Sequence, residues 1–494
     1  MRIYLFLPLL LLLGSCVGPD YKRPDIPVPP EWKNQPTQTA TAEQNIDISW
    51  WHNFHDPQLD NLIEEASKAN LDYLTALARI REARAHFSGV EANLFPTISG
   101  VGSASQAFFG SHFQKNAPSS ASPSPSSSSS TPNSSQSSKQ NVYMVGFDAT
   151  WELDFFGAVQ RSEESALATL ESAVESARAT LLSLIAEIAQ NYINLRNFQH
   201  QLEAVQAIAD LWRENLTLQS DLEKTGLTSQ MTTATAQSSL DRARAAIPPL
   251  EANMKAAIHR LGVLLGKDPG ALYDQLLLRR GSIPQTSEAV IAGLPSELIC
   301  RRPDIRVSER LLASTTAQIG VSIASLFPQF QLTGNLDYQR GHLPHLLRSS
   351  SQFWQYGLNF SVPIFDFGQI RAQIDAKYAQ KDEALLAYQK SILTAFEDVE
   401  NGLVNYANES HRYDQLQGQV AAQERFYRLT SSRYQAGLNS YLDVLQAKIL
   451  LLNTKITAIQ SQATVSLNLV ALYKALGGGW ETYDPDKDAA KSLQ

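Results

Sequence analysis

The chain carries one pattern twice, and that duplication limits its fold more than any single motif does. WELDFFG at 151–157 returns as VPIFDFG at 362–368, KTGLTSQ at 224–230 as QAGLNSY at 435–441, and LGVLLG at 261–266 as LYKALG at 472–477. Gly157, Gly226 and Gly266 thus have counterparts in Gly368, Gly437 and Gly477, each 211 positions later. A second pair, ANLFPTISG (92–100) and ASLFPQFQLTG (324–334), shares its LFP at an offset of 232. The first half therefore holds 21 extra residues between LFP and FFG, where a Ser/Pro-rich loop (115–140) interrupts the pattern. Such a tract cannot bury a core and reads as disordered.

Each half reads as helix, strand, loop, strand, long helix, Gly turn, helix. FQLTGNLDYQ (330–339) alternates strictly, with Phe330, Leu332, Leu336 and Tyr338 on one parity and Gln331, Thr333, Asn335, Asp337 and Gln339 on the other. Residues 354–362 and 143–151 alternate in the same way, while the expected fourth strand near 97–108 is blurred by small residues. Alternation marks half-buried strands. With about ten residues and aromatics near the ends, it also fits membrane-barrel strands, polar inward and apolar outward. An ordinary antiparallel sheet over a soluble core is the plainer alternative.

The helices keep a seven-residue period. After Gly157 it carries Leu167, Val174, Leu181, Ile188, Leu195 and Leu202; after Gly368 it runs from Tyr378 through Ile392 and Val399 to Tyr434. A sustained heptad demands a partner helix in coiled-coil packing. From Ile370 to Tyr434 such a helix would run ~100 Å.

Four strands with an apolar outer face cannot sit in lipid alone, because both edges would carry unpaired backbone groups. Four are also too few for a closed membrane barrel, which takes at least about eight. Copies of the chain must therefore join head to tail in a ring. The N-terminus is consistent with export: Arg2, an apolar run from Ile3 to Leu13, then Gly14, Ser15 and Cys16. That run is short of the ~20 residues a membrane helix needs and describes a signal peptide over 1–15. Net charge is −8 from 41 basic and 49 acidic residues, which offers nothing to nucleic acid. The two cysteines, Cys16 and Cys300, exclude a disulfide framework or a Cys-rich metal site.

LGSC (13–16) resembles a bacterial lipobox, in which the Cys is lipidated; an ordinary signal peptide with an incidental Cys is the alternative. With GPDYKRP after it, WW with Phe54 and Asp56, GLPSELICRRPDI (293–305) and LGGGW (476–480), the chain resembles the outer-membrane efflux lipoproteins of the TolC/OprM type, including NodT-type members. The resemblance spans the whole mature chain. It implies a membrane β-barrel plus a long α-helical coiled-coil barrel, with two tandem repeats per chain and four strands per protomer, closed as a twelve-stranded barrel in a homotrimer. It further implies a passive exit duct for drugs or other small toxic compounds, served by a periplasmic adaptor protein and an inner-membrane pump, most simply a proton-driven one. By the family's sorting rule, Val17 after Cys16 points to the outer membrane of a Gram-negative bacterium, with the helices in the periplasm. The covalent lipid on Cys16 is the sole added group implied. A type I protein-secretion channel shares the architecture, and a non-conducting envelope scaffold is a rival of another class. The segments are then a lipidated Pro-rich lead (16–57), repeat 1 (58–280), repeat 2 (281–477) and a tail (478–494).

Gly226 and Gly437 stand at helix-to-helix turns, where Gly permits a left-handed cap. The resemblance implies that adaptor hairpins grip these turns, bringing in Leu227 and Leu438. SYLDVLQAK (440–448) resembles the family's periplasmic aperture, with Asp443 at an acidic position and Leu442 beside it as a possible constriction. Gln446 stands where the family often has a second acid, and Thr232 where the acidic partner of Tyr434 is usual, so a two-ring cation site and a latch are both weakened. A solvated helix charge is the bland reading of Asp443. In RRPDI, Pro303 and Asp304 suit a helix start, and Arg301 or Arg302 is read as paired with a nearby carboxylate. DFG (366–368) lacks the other kinase motifs. GVLLGKD has the wrong phosphate-loop spacing, and His52 with His55 lacks a third metal ligand. No enzyme is expected.

Overall fold

The computed structural model describes residues 16–34, 48–109, 138–278, 281–285 and 295–483, with 485, 488 and 489. The expected signal peptide (1–15) and residues 115–137 of the Ser-rich loop lie outside the described residues, while the loop's last three residues, 138–140, are strand and not loop. Helices α1 (Pro57–Ala69) and α2 (Leu71–Glu91) lead to strands β1 (Thr97–Phe109) and β2 (Ser138–Leu153). Helix α3 (Ala158–Lys224) follows, then α4 (Gln230–Ala245), α5 (Ile247–Leu264) and the short α6 (Tyr273–Leu278). The second half holds α7 (Pro295–Arg301), α8 (Pro303–Ala324), β3 (Gln329–Arg340), β4 (Gln352–Ser361), α9 (Gln369–Gln435) and α10 (Tyr441–Ala475).

The duplication survives in the fold. Helices α3 and α9 have 67 residues each, and both of their ends are 211 positions apart. The halves part company after the Gly turn. In the second half α10 is a single helix of 35 residues, whereas the first half breaks at Ala246 into α4 and α5. Pro248 and Pro249 explain the break: neither can donate to the preceding turn.

Two compact units are present, and neither is a half of the sequence. One comprises Met1–Tyr21, Ala85–Leu167 and Ser314–Lys381 and holds the sheet; the other comprises Lys22–Arg84, Ala168–Ala313 and Asp382–Gln494. In the second unit the heptad residues Leu181, Ile188 and Leu195 of α3 are fully buried, as are Ile392 and Val399 of α9. Beyond Leu403 the α9 seam (Tyr406, Tyr413, Val420, Tyr427) is only half-buried within one chain. That is the condition of a coiled-coil seam awaiting a further helix. Among the described residues, no helix is long and apolar enough to cross a membrane.

Candidate functional site

The four strands form one antiparallel sheet in the order β1-β2-β3-β4. Its register puts Phe147 opposite Leu336, Trp151 opposite Leu332, Leu332 opposite Leu358 and Leu336 opposite Trp354, so one face is apolar across β2, β3 and β4. The other face carries Asp148 opposite Asn335 and Asn335 opposite Gln355. On that polar side Asp337 is buried over Gly146, where any side chain would collide with its carboxylate, and Asn335 donates to it at 2.6 Å. The apolar face stays open to solvent: Trp354 is 64% exposed and Tyr356 76%. Among the described residues nothing pairs with the outer edges of β1 and β4. A greasy face and two open edges suit a wall segment of a membrane barrel and no finished soluble sheet.

Strand β1, the blurred one, is small for a reason the register gives. Gly100, Gly102 and Ala104 lie opposite Phe147, Val145 and Tyr143 of β2. Small residues there leave room for large neighbours on the apolar face.

Cys16 is held where β2 hands over to α3. The Val17 N–H donates to the Phe156 carbonyl at 3.2 Å, and the Cys16 Sγ lies 2.8 Å from Gln160 Oε1. Gly157 is left-handed (φ 80), and a Cβ on it would meet Cys16 Sγ at 2.7 Å. Arg161 binds the Val17 carbonyl, Asp20 and Glu164, so the lead after Cys16 is tied down by charge. A cavity of about 430 Å³ opens beside Cys16, lined by Gln160, Glu163, Glu164 and Leu167.

The two Gly turns are the same motif built twice. Gly226 (φ 75) and Gly437 (φ 74) close their helices, with the Leu227 N–H on the Leu222 carbonyl at 2.8 Å and the Leu438 N–H on Arg433 at 2.9 Å. This is the Schellman arrangement. A Cβ on either Gly would meet nothing within 4 Å, so the constraint is conformation and not space. Leu227 and Leu438 project into solvent, 76% and 68% exposed.

Beyond the second turn, Ser440 caps α10 through a capping box. Asp443 Oδ2 accepts from the Ser440 N–H at 2.9 Å, and the Ser440 side chain accepts from the Asp443 N–H. Asp443 and Gln446 are exposed and Leu442 is half-buried. Thr232, the counterpart of Asp443, has a hydroxyl contact to Ser229 at 3.2 Å and donates its N–H to the Ser229 carbonyl at 3.0 Å. Tyr434 packs its ring 5.4 Å from Tyr441. Among the described residues no hydrogen bond joins Tyr434 to Thr232; instead Tyr441 donates a short hydrogen bond to Glu214 of α3. That bond pushes the Tyr441 phenol up to about 12. Sequence reasoning missed this tie, because its partners are 227 positions apart and no period links them. Leu445 and Ile449 of α10 pack with Ile208 and Leu211 of α3 below it.

The signature strings meet in the second unit. Arg302 is buried and donates to Asp304 at 2.7 Å, to Asp398 at 3.0 Å and to the Ala475 carbonyl at 3.1 Å. Arg301 pairs with Glu481 at 2.8 Å, so both arginines have carboxylate partners. Trp50 stacks on Tyr473 at 5.2 Å and donates to the Gly478 carbonyl, while Trp480 lies under Arg178 at 4.7 Å. WW, RRPDI and LGGGW therefore form one structural knot. His52 is paired with Asp60, and among the described residues no three His, Cys, Asp or Glu side chains could hold a metal ion.

The sequence matches the family described as outer membrane efflux protein over residues 62–267 and 294–478. Nodulation protein T of Rhizobium leguminosarum bv. trifolii is 30% identical over 95% of this chain and 96% of its own. The probable efflux pump outer membrane protein TtgC of Pseudomonas putida is 31% identical over 95% of this chain and 94% of its own. The solved structure of the outer-membrane channel OprN superposes with a TM-score of 0.83 at 30% identity, covering 94% of this chain and 99% of that one. The chain is a member of the outer membrane efflux protein family: a Gram-negative outer-membrane channel and not an enzyme, with a four-stranded share of a trimeric β-barrel and two tandem repeats carrying long helices.

Proposed function

We propose that the protein is the outer-membrane exit duct of a tripartite efflux system, passively conducting drugs or other small toxic compounds delivered by an inner-membrane pump. The observation that carries this is the sheet, whose polar and apolar faces and two open edges are of use only in a closed, lipid-embedded wall. A scaffold needs no such sheet. The likeness to an efflux-pump outer membrane protein supports efflux over protein secretion. Cys16 is lipidated and anchors the lead. Its tethered position beside an open cavity supports that reading. A multiply acylated Cys would hold firmly where one chain would not.

The turns at Gly226, Leu227, Gly437 and Leu438 receive the periplasmic adaptor; their exposed leucines on identical backbone caps support this. Leu442, Asp443 and Gln446, with Tyr434 and Thr232, line the aperture. Three copies of Asp443 around one axis would attract cations. Crosslinking in living cells followed by mass spectrometry tests the function. A proton-driven pump with its adaptor is the expected partner; an ABC transporter paired with a secreted protein would move the assignment to secretion, and neither would favour the scaffold. Cys16→Ser should abolish acyl labelling, and labelling that persists would refute the anchor.

A further inference from the structure

The internal repeat lets the seam between two copies be read from a seam inside one. Strands β2 and β3 come from different halves, and they pair from Tyr143 with Arg340 to Leu153 with Phe330, every pair of numbers summing to 483. The equivalent seam, β4 with β1, is not made within the chain, because these strands are the two edges of the sheet. The repeat carries β2 onto β4 by adding 211 and β3 onto β1 by subtracting 232. We infer that β4 of one copy pairs antiparallel with β1 of the next in the register whose numbers sum to 462. Leu358 then faces Ala104 of the next copy, Asn359 faces Ser103 and Phe360 faces Gly102. This rests on the trimeric-channel reading and adds to it which residues meet.

Two features of the single chain agree. The register keeps faces matched, with Trp354, Leu358 and Phe360 on the apolar side against Phe108, Ala104 and Gly102; a slip of one residue would reverse that. The same Gly and Ala side of β1 already receives Phe147 and Val145 from β2, so it has room on its second flank as well. Independent support lies just outside the strands. Within the chain Phe156 stacks on Phe327 at 4.7 Å, a pair that obeys the 483 sum. Its repeat equivalents are Phe367 and Phe95, which obey the 462 sum and are 90% and 65% exposed. Phe367 also has a left-handed backbone (φ 55), an unfavourable state for a bulky residue. Within the chain its ring meets Phe365 edge-on at 4.4 Å, and across the seam it gains a second partner in Phe95 of the next copy.

The two seams are not identical. Phe155 packs edge-on against Phe330 at 5.1 Å, but their counterparts are Asp366 and Ile98. Asp366 instead caps α9, accepting from the N–H groups of Gly368 and Ile370. At the joint where the strands hand over to the helices, the seam between copies thus has one aromatic pair where the seam within a chain has two.

The test uses the full-length protein in its membrane with Cys300→Ser. Asn359→Cys combined with Ser103→Cys should give covalently linked dimers and trimers with a short bis-maleimide. Asn359→Cys with Ser99→Cys or with Ala107→Cys, about 13 Å off along the strand, should give few. Preferential linking of either shifted pair would overturn the register while leaving head-to-tail closure standing. Linking by none of the three would also overturn it, and the native mass of the same sample would show whether the trimer had failed too. Phe95→Cys with Phe367→Cys lies outside the strands and gives a second reading: it should link wherever 359 and 103 do, and its failure in a folded trimer would refute the proposal.

Discussion

The first and second halves build the same joint from different side chains. Asn70 donates to the Leu264 carbonyl at 2.9 Å, and Arg302, its counterpart at the 232 offset, donates to the Ala475 carbonyl at 3.1 Å. The carbonyls themselves are 211 apart. Beside each sits a left-handed Gly: Gly266 (φ 66) against the Ala69 carbonyl and Gly477 (φ 72) against the Arg302 side chain. In both places the start of one helix is tied to the end of another. Asn70 does this with neutral hydrogen bonds, taking the Tyr73 N–H at 2.9 Å as well. Arg302 adds ion pairs to Asp304 and Asp398. Backbone geometry is what the repeat preserves; the polar chemistry that fills it is replaceable.

The largest effect expected from that difference is at Arg302. Removing one member of a buried ion pair costs roughly 3–5 kcal/mol, and the nearly half-exposed carboxylates put Arg302→Ala at the low end, about 3 kcal/mol. Asn70→Ala loses neutral bonds and should cost about 1–2 kcal/mol. Urea unfolding of the detergent-solubilised protein measures both. Equal losses would mean that the charges add nothing to the joint.

Gly157 and Gly368 sharpen the contrast, since one is filled and the other vacant. Both are left-handed, but only Gly157 is in contact with Cys16; a Cβ at Gly368 would meet nothing within 4 Å. Ala at either position should cost roughly 1–2 kcal/mol through backbone conformation alone. Only Gly157→Ala should also loosen the lead, seen as faster proteolytic release of residues 16–34. Equal release from both variants would show that Gly157 does not seat the N-terminal segment.

A smaller difference separates the two aromatic pairs. Phe156→Ala should weaken the single chain. Phe367→Ala should leave the chain's helix content unchanged and lower the melting temperature of the trimer, with a coupling to Phe95 of about 1 kcal/mol in a double-mutant cycle. A Phe367 change felt equally by dissociated chains would break the analogy between the seams.

What the sequence made legible follows from how each feature is encoded. The strand expected at 330–339 is observed at Gln329–Arg340, because a half-buried strand writes its two faces into alternate residues. Strand β1 was blurred because Gly100, Gly102 and Ala104 yield their volume to Phe147, Val145 and Tyr143, so its pattern is stored on the neighbouring strand. The long helices were read to within a residue at α9, where the heptad is continuous. The break between α4 and α5 is encoded in Pro248 and Pro249, a local signal that the hydrophobic period does not carry. The Tyr441–Glu214 tie could not be read at all, since nothing local distinguishes a tyrosine that will meet an acid on another helix.

The smallest effect concerns the helix starts after the Gly turns, and it separates two roles for Asp443. Ser229 and Ser440 have the same extended cap backbone, φ −94 and ψ 153 against φ −79 and ψ 157. Only Ser440 has an acid three residues on, and only its helix has the capping box. The first half is therefore poised for a cap it does not form. Thr232→Asp should complete the box and stabilise by about 0.5–1 kcal/mol, and Asp443→Ala should destabilise by a similar amount. Urea midpoints at unchanged slope measure both. If Asp443 acts only as a cap, its loss will leave cation block in planar bilayers unaltered, and Thr232→Asp in the same protein will restore the lost stability. If it also lines the aperture, Asp443→Ala will relieve the block without disturbing the trimer. Stability and block would then move independently, which a cap alone cannot produce.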